Sequence, residues 1–205
     1  MESARAVLFD LDGVLVDSYE AWYRVVNAAA RHFRKPDIDR ERFAASWGQG
    51  LDADARSFFP GCGESEIAEF YEYHLLDYGS EIQVDPGAHE TLLRLRSDEV
   101  MRGVITNTPT FVARDLLALV GLIGLVDITV GPEPGLAPKP APDIVLRACE
   151  LLQVNPTGAL VVGDSAFDEK AARAAQVPFV GYRNSSSARS VQRLSEVVRL
   201  VVPQH

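Results

Sequence analysis

Four residues behind a short apolar run restrict the architectures open to this chain more than any other feature. Ala6-Val7-Leu8-Phe9 is followed at once by Asp10-Leu11-Asp12-Gly13. A run of β-formers that stops at an acid reads as a buried strand delivering that acid to its carboxyl edge. In open α/β sheets that edge is where ligands bind. Asp10 and Asp12 lie one pleat period apart, so both can face the same cleft, and Gly13 permits the backbone turn that follows. Taken alone, the segment reads equally well as a strand-to-turn junction with Asp12-Gly13 as turn residues.

Two more runs end in chemistry-bearing side chains. Gly103-Val104-Ile105 gives way to Thr106-Asn107, a hydroxyl and an amide, and Leu160-Val161-Val162 gives way to Gly163-Asp164, with Asp168 one helical turn further on. Pro138-Lys139-Pro140 holds a lysine between two prolines, which restrict the backbone so that less order is lost on binding. A nucleophilic carboxylate, a hydroxyl/amide phosphate clamp, a cation and a metal-binding carboxylate are what aspartyl-phosphate chemistry requires. Each has a plainer reading: Thr106-Asn107 as a turn, Lys139 as a solvated loop charge, Asp164 as a helix cap. Their joint occurrence, in this order and at three strand ends, favours the chemical one.

Strand-like runs fall at Ala6–Phe9, Met101–Ile105, 126–130, 159–162 and 177–181, with 197–202 read as an edge strand. Helical patterns lie between the later ones; Thr108-Pro109 marks a helix start and Gly121 a stop. Alternating strands and helices imply an α/β fold with a doubly wound parallel sheet. One interval breaks the alternation. Between residues 18 and 85 there are helical patterns and no convincing strand: Trp22, Val25, Val26, Ala29 and Phe33 recur at helical spacing, as do Ile67, Phe70, Tyr71 and Leu75. Those aromatics read as core packing rather than ligand contacts. Asp85-Pro86-Gly87 marks the return to the sheet. The expected organisation is a core of residues 1–17 and 86–205, interrupted by a small helical domain of residues 18–85 on linkers near 16–19 and 79–86.

The four motifs Asp10-x-Asp12, Thr106-Asn107, Lys139-Pro140 and Gly163-Asp164-x-x-x-Asp168 resemble those of the haloacid-dehalogenase superfamily, close to its phosphoglycolate phosphatase and β-phosphoglucomutase branch. The resemblance covers nearly the whole chain. Residues 168–175 also resemble the family's helix after the fourth motif, whereas Gln176 stands where relatives usually continue with glycine, a matter of helix-end geometry. The resemblance implies a Rossmann-like core with the Asp10 strand central, and makes residues 18–85 a cap that closes over the catalytic edge and sets specificity. It implies a magnesium-dependent phosphatase acting on a small phosphomonoester through an aspartyl-phosphate intermediate. Asp10 is then the nucleophile and Asp12 the acid and base. The Thr106 hydroxyl and the Asn107 backbone N–H bind phosphate, and Lys139 pairs with both Asp10 and the phosphate. Magnesium suits an all-oxygen site; its expected ligands are the Asp10 and Asp164 carboxylates and the Asp12 carbonyl. Asp168 is expected to act through water or to orient the ligands, with helix capping as the plainer role. Trp47-Gly48-Gln49-Gly50 is the expected specificity loop, Trp47 and Gln49 foremost, and reads equally as a glycine turn with a core tryptophan.

Rival activities meet obstacles. Relatives that cleave carbon–halogen bonds lack a second acid like Asp12. Phosphonate cleavage in the related branch uses a cap lysine, and Lys35, before Pro36, is the only one in the interval. A sugar phosphomutase is the stronger rival, because Asp10 and Asp12 serve both reactions; yet aligning Gly50-Leu51-Asp52 leaves Ala53 where such mutases carry arginine, with Arg56 one turn on. A non-catalytic binding module on the same fold is the remaining alternative, and it would be expected to lose one of Asp10, Asp12, Lys139 or Asp164.

Composition narrows the setting. The 205 residues can bury one good core and a smaller accessory domain. No apolar stretch approaches the ~20 residues of a membrane span, so no membrane association is expected. The apolar run after Arg5 is too short for a signal peptide. Cys62 and Cys149 stand far apart without ligand-like neighbours, which fits a reducing cytoplasm. A net charge of −9 disfavours nucleic acid. The expected partner is a small phosphorylated metabolite, met by a monomer or weak homodimer. Phosphoglycolate, a sugar phosphate, a nucleotide and pyrophosphate all remain open as substrates.

Overall fold

A computed structural model describes residues 4–202. Its centre is β1 (Ala6–Phe9), in which all four side chains are buried. After it come β2 (Val16–Asp17) and a helical stretch: α1 (Tyr19–His32), α2 (Arg40–Ser46), α3 (Leu51–Ser57), α4 (Glu64–His74) and a 3-10 segment over Leu75–Glu81. The chain returns through β3 (Gln83–Val84) and then alternates: α5 (Ala88–Ser97), β4 (Met101–Ile105), α6 (Thr110–Leu119), β5 (Ile128–Val130), α7 (Asp143–Leu151), β6 (Ala159–Gly163), α8 (Ala166–Ala174), β7 (Phe179–Tyr182), β8 (Ser190–Val191) and α9 (Ser195–Val201). Six strands form one sheet in the order β5-β4-β1-β6-β7-β8, and every pairing in it is parallel.

The pleat of β1 divides the core. Val7 and Phe9 pack on one side with Leu92 and Leu95 of α5, Leu116 of α6 and Val197 of α9, a cluster that continues into the helical insertion through Val25 and Tyr71. Ala6 and Leu8 pack on the other side with Ile144, Val145 and Ala148 of α7 and Ala171 and Ala172 of α8. Helices thus cover both faces, which is why the central strands read as continuous apolar runs rather than alternating ones.

Three sequence expectations need correcting. Residues 197–202 do not form an edge strand: Leu194, Val197 and Val201 are buried at spacings of three and four, one face of α9, and the sheet edge is the two-residue β8. A short apolar run does not by itself separate the two periods. The interval 18–85 does contain a strand, β3, too short to leave a pattern; it pairs antiparallel with β2 (Val16 with Val84, Asp17 with Gln83), so the two linkers form one hydrogen-bonded ribbon. Finally, α6 begins at Thr110, with Pro109 as its cap rather than its first residue. The ribbon is anchored to the sheet. Asp85 donates its N–H to the Leu15 carbonyl at 2.9 Å, and its carboxylate accepts from the Tyr182 hydroxyl at 2.5 Å and pairs with Arg183 at 3.1 Å.

Gln176 follows α8 with φ +58°, the left-handed conformation that glycine occupies without strain. Gln176→Gly is therefore expected to stabilise the fold by about 1 kcal/mol, read as a rise in denaturation midpoint at unchanged slope. An unchanged or lowered midpoint would show that the side chain compensates the backbone cost.

Candidate active site

The carboxyl ends of β1, β4 and β6 and the loop before α7 converge on one cleft. Asp10 continues β1 by donating its backbone N–H to the Val162 carbonyl at 2.9 Å. Its Oδ1 accepts from the Leu11 N–H at 2.8 Å and from Lys139 Nζ at 2.7 Å, and these two bonds to one oxygen fix the carboxylate plane. Lys139 Nζ also pairs with Asp168 Oδ1 at 2.5 Å and donates to the Ile105 carbonyl at 3.3 Å. This lysine is buried, unlike a solvated loop charge.

Its position is set from the backbone. The Asn107 carboxamide accepts from the Lys139 N–H at 2.7 Å and donates to the Lys139 carbonyl at 2.9 Å and the Gly48 carbonyl at 2.8 Å. One amide therefore joins the β4 end, the lysine loop and the insertion. The Lys139–Pro140 peptide bond is cis.

Asp12 turns the other way. Its Oδ1 accepts from Ser18 Oγ at 2.5 Å and Trp22 Nε1 at 3.0 Å; its Oδ2 accepts from Thr108 Oγ1 at 2.9 Å and Thr106 Oγ1 at 3.4 Å. Thr106 in turn accepts from the Thr108 N–H at 3.0 Å. Sequence reasoning missed Ser18 and Thr108 at this site; Trp22 packs against the core as expected, and its indole also reaches the cleft.

The carboxyl end of β6 brings the remaining acids. Gly13, with φ +87°, lies so near Asp164 that a Cβ there would fall 2.1 Å from its carboxylate oxygen, so only glycine accommodates both the turn and the approach. Asp168 is fully buried at the third position of α8. Its Oδ1 holds Lys139, and its Oδ2 accepts from Ser165 Oγ at 2.5 Å and Ser165 N–H at 3.1 Å, a capping box. Helix capping and orientation of the site's lysine thus fall to one side chain.

Asp10, Asp164 and Asp168 each offer a carboxylate oxygen within 4.8 Å of the others. With Asp12 beside them, the cleft holds four carboxylates and one ammonium. Burial pushes the Asp10 carboxyl well above the usual carboxylate range and Asp168 adds to this, against the pull of Lys139. Burial and then Asp168 push Asp164 up to about 6. Burial alone would lower the Lys139 pKa, but Asp10 and Asp168 hold it above its ordinary value, so the ammonium is permanent. An excess of hard oxygen donors short of positive charge fits a divalent cation such as magnesium. Both Asp168 oxygens are already engaged, whereas the bonds to Asp10 fall on its Oδ1 alone, so Asp10 and Asp164 are the better placed to hold a cation.

Above this floor lies a cavity of about 70 Å³, walled by Asp10, Asp12, Thr106, Asn107, Thr108 and Lys139 from the sheet side. Trp22, Phe43, Trp47, Gln49, Asp54 and Tyr71 wall it from the insertion. Trp47 and Gln49 are thus at the cavity, as the reading of their loop as a specificity element requires, while Trp47 also packs against Tyr19 at 5.0 Å and Phe43 at 5.9 Å. Tyr71 belongs to the core, as expected, and Trp22 packs against it, and both also wall the cavity.

A parallel sheet with acids at the carboxyl edge of its central strand, a buried lysine and a helical insertion overhead defines a hydrolase class. The family model of haloacid dehalogenase-like hydrolases matches residues 7–182, and the chain belongs to that family. The plasmid-encoded phosphoglycolate phosphatase of Cupriavidus necator is 31% identical over 180 residues, covering 84% of this chain and 78% of that relative. The phosphoglycolate phosphatase of Chromobacterium violaceum is 29% identical over 216 residues, covering 98% and 96%. Among solved structures, a HAD-superfamily hydrolase of subfamily IA from Geobacter sulfurreducens matches with a TM-score of 0.72 at 27% identity over 97% of this chain and 96% of that one. CbbY from Rhodobacter sphaeroides, solved in complex with xylulose-(1,5)bisphosphate, shares the fold with a TM-score of 0.83 at 20% identity over 98% and 100%.

Proposed function

We propose that the protein is a magnesium-dependent phosphatase that hydrolyses a small phosphomonoester through an aspartyl-phosphate on Asp10. The observation that carries this reading is the buried Asp10–Lys139–Asp168 arrangement beside an independently oriented second acid, Asp12. Phosphate esters resist attack because the nucleophile meets a dianion, so catalysis needs charge neutralisation and in-line positioning. The Asp10 carboxylate attacks phosphorus as the bond to the leaving oxygen breaks, and Asp12 supplies that oxygen's proton. Water then attacks the phosphoryl group, Asp12 takes its proton, and inorganic phosphate and free Asp10 return. Lys139, the Thr106 hydroxyl and the Asn107 backbone N–H hold the phosphate oxygens. Asp10, Asp164 and the Asp12 carbonyl would hold the magnesium, with Asp168 behind them orienting Lys139. The cation, when bound, screens phosphate charge.

Residues 18–85 act in this reading as a cap that sets specificity, and residues 1–17 and 86–205 as the catalytic core. Space of about 70 Å³ holds roughly five water-sized positions, which suits an ester of the size of phosphoglycolate, the compound in the names of the relatives above, better than a nucleotide. Mutase action would require a second phosphate to be gripped by the insertion. Arg56, the nearest candidate by position, is instead exposed and paired with Asp52 at 2.9 Å. Two separated free cysteines suit a reducing cytoplasm, and no helix among the described residues is long and apolar enough to cross a membrane.

The test is hydrolysis of an aryl phosphate with and without divalent ions. Turnover is expected with magnesium and is expected to vanish in excess chelator, returning when magnesium is added back. Turnover indifferent to chelator would overturn the metal assignment, and no hydrolysis of any phosphate ester under magnesium would overturn the phosphatase reading.

A further inference from the structure

We propose that the leaving group of the substrate carries a positively charged amine, and that Asp54 is the residue that selects it. This rests on the phosphatase reading and extends it to the far end of the same cavity. The insertion presents the rings of Trp22, Phe43, Trp47 and Tyr71 there, with one acid, Asp54, among them. Trp22 and Tyr71 meet edge-on at 5.5 Å, and Phe43 and Trp47 at 5.9 Å. Asp54 is fixed from both sides, its Oδ1 accepting from Gln49 Nε2 at 2.6 Å and its Oδ2 from the Tyr71 hydroxyl at 3.1 Å. Aromatic faces around a carboxylate form a container for an ammonium group, which the rings attract through their quadrupoles and the acid through its charge.

The same walls are unsuited to an anion. Lys139 is the only cationic side chain lining the cavity among the described residues, and it is committed to Asp10 and Asp168 beneath the phosphate position. No described arginine or lysine of the insertion lines the cavity: Arg34 is exposed away from it, and the others have partners of their own. Arg24 and Arg40 pair with Glu20, Arg31 with Asp37, Arg56 with Asp52, Lys35 donates to the Pro60 carbonyl, and Arg42 lies over Phe58. A carboxylate or second phosphate on the leaving group would face Asp54 with nothing to neutralise it. Burial pushes the Asp54 carboxyl up to about 6 despite its two donors, so its charge at neutral pH is held at a cost that a bound cation offsets. Among the described residues no cationic side chain pairs with Asp54, which leaves a substrate to supply that cation.

Three esters of matched size distinguish the possibilities: 2-aminoethyl phosphate, 2-hydroxyethyl phosphate and phosphoglycolate, compared at pH 7.5 with saturating magnesium. The amine is expected to exceed the neutral alcohol by about tenfold or more in kcat/KM, with phosphoglycolate the poorest of the three. In Asp54→Asn the ratio of amine to alcohol is expected to fall towards one, a within-variant comparison that any general loss of activity leaves interpretable. Binding gives a second readout independent of turnover. Trp22 and Trp47 are the only tryptophans of the chain and both line the cavity, so their fluorescence titrated with each ester should show the same ranking. Equal or better use and binding of the alcohol or of phosphoglycolate by the wild-type protein would overturn the proposal while leaving the phosphatase reading intact. Hydrolysis of none of the three, nor of an aryl phosphate, would remove that reading, and the fluorescence ranking would still decide the amine preference.

Discussion

Asp10→Asn is expected to abolish turnover, by on the order of 10⁴-fold or more, in a protein that remains folded. The amide has no charge with which to attack phosphorus, so no phospho-enzyme forms. It fits the same volume and keeps an oxygen for the Leu11 N–H bond now made by Oδ1. Stability should hold as well. The Asp10 carboxyl is raised above its ordinary range by burial and by Asp168, so the folded protein binds its proton more readily than the unfolded chain. Stability contributed by this group is therefore lost as pH rises through the interval between the ordinary and raised values. Asparagine removes that loss, and the metal-free melting temperature at pH 7 should equal or exceed that of the wild type. Asp12→Asn should behave differently: phosphorylation of the enzyme should persist with good leaving groups, such as a nitrophenolate, and fail with alkyl esters. Equal loss with both kinds of ester would argue against Asp12 as the acid, and retained turnover in Asp10→Asn would exclude it as nucleophile.

Lys139→Ala should cost about a hundredfold or more in turnover, comparable to the loss of a preorganised charge-stabilising donor. It should also cost stability. Removing one partner from a buried ion-pair network costs about 3–5 kcal/mol because the remaining charges stay buried, here Asp10 and Asp168. The two effects are separable when rates are taken at saturating magnesium, well below the variant's melting midpoint. Lys139→Arg should recover only part of the activity. A planar fork does not replace a compact ammonium that reaches Asp10, Asp168 and the Ile105 carbonyl from one point. Near-normal hydrolysis by the alanine variant would show that the lysine has no part in catalysis.

The floor of the site was legible because its residues sit where apolar runs end. Asp10, Thr106 and Asp164 each follow a buried strand, and strand ends in a parallel sheet share one edge. The roof was not. Helical spacing tells that Trp22 and Tyr71 face inward, but not whether what they face is packed core or empty space; here they wall the cavity, and Trp22 reaches Asp12. Asp54 gave no signal, since an acid in the first turn of a short helix ordinarily complements the helix dipole. Thr108 was hidden beside Pro109, where a hydroxyl looks like part of a turn. Asn107 was read for its backbone, whereas its carboxamide anchors the lysine loop, a long-range contact with no local trace. The misread α9 has a different origin: over six residues an apolar run fits either period.

The four donors around Asp12 have a consequence for the order of events in a catalytic cycle. Trp22 reaches one oxygen from the insertion, and Thr108 reaches the other from the sheet. An outward swing of α1 by even an ångström or two would carry the indole beyond bonding distance, leaving Oδ1 to Ser18 at the foot of that helix and Oδ2 to the two threonines. For Asp12 as the proposed proton donor, a movement that admitted bulk water would also remove one of the four bonds that orient it. In that reading, closure of the insertion and orientation of the acid would be coupled at a single carboxylate.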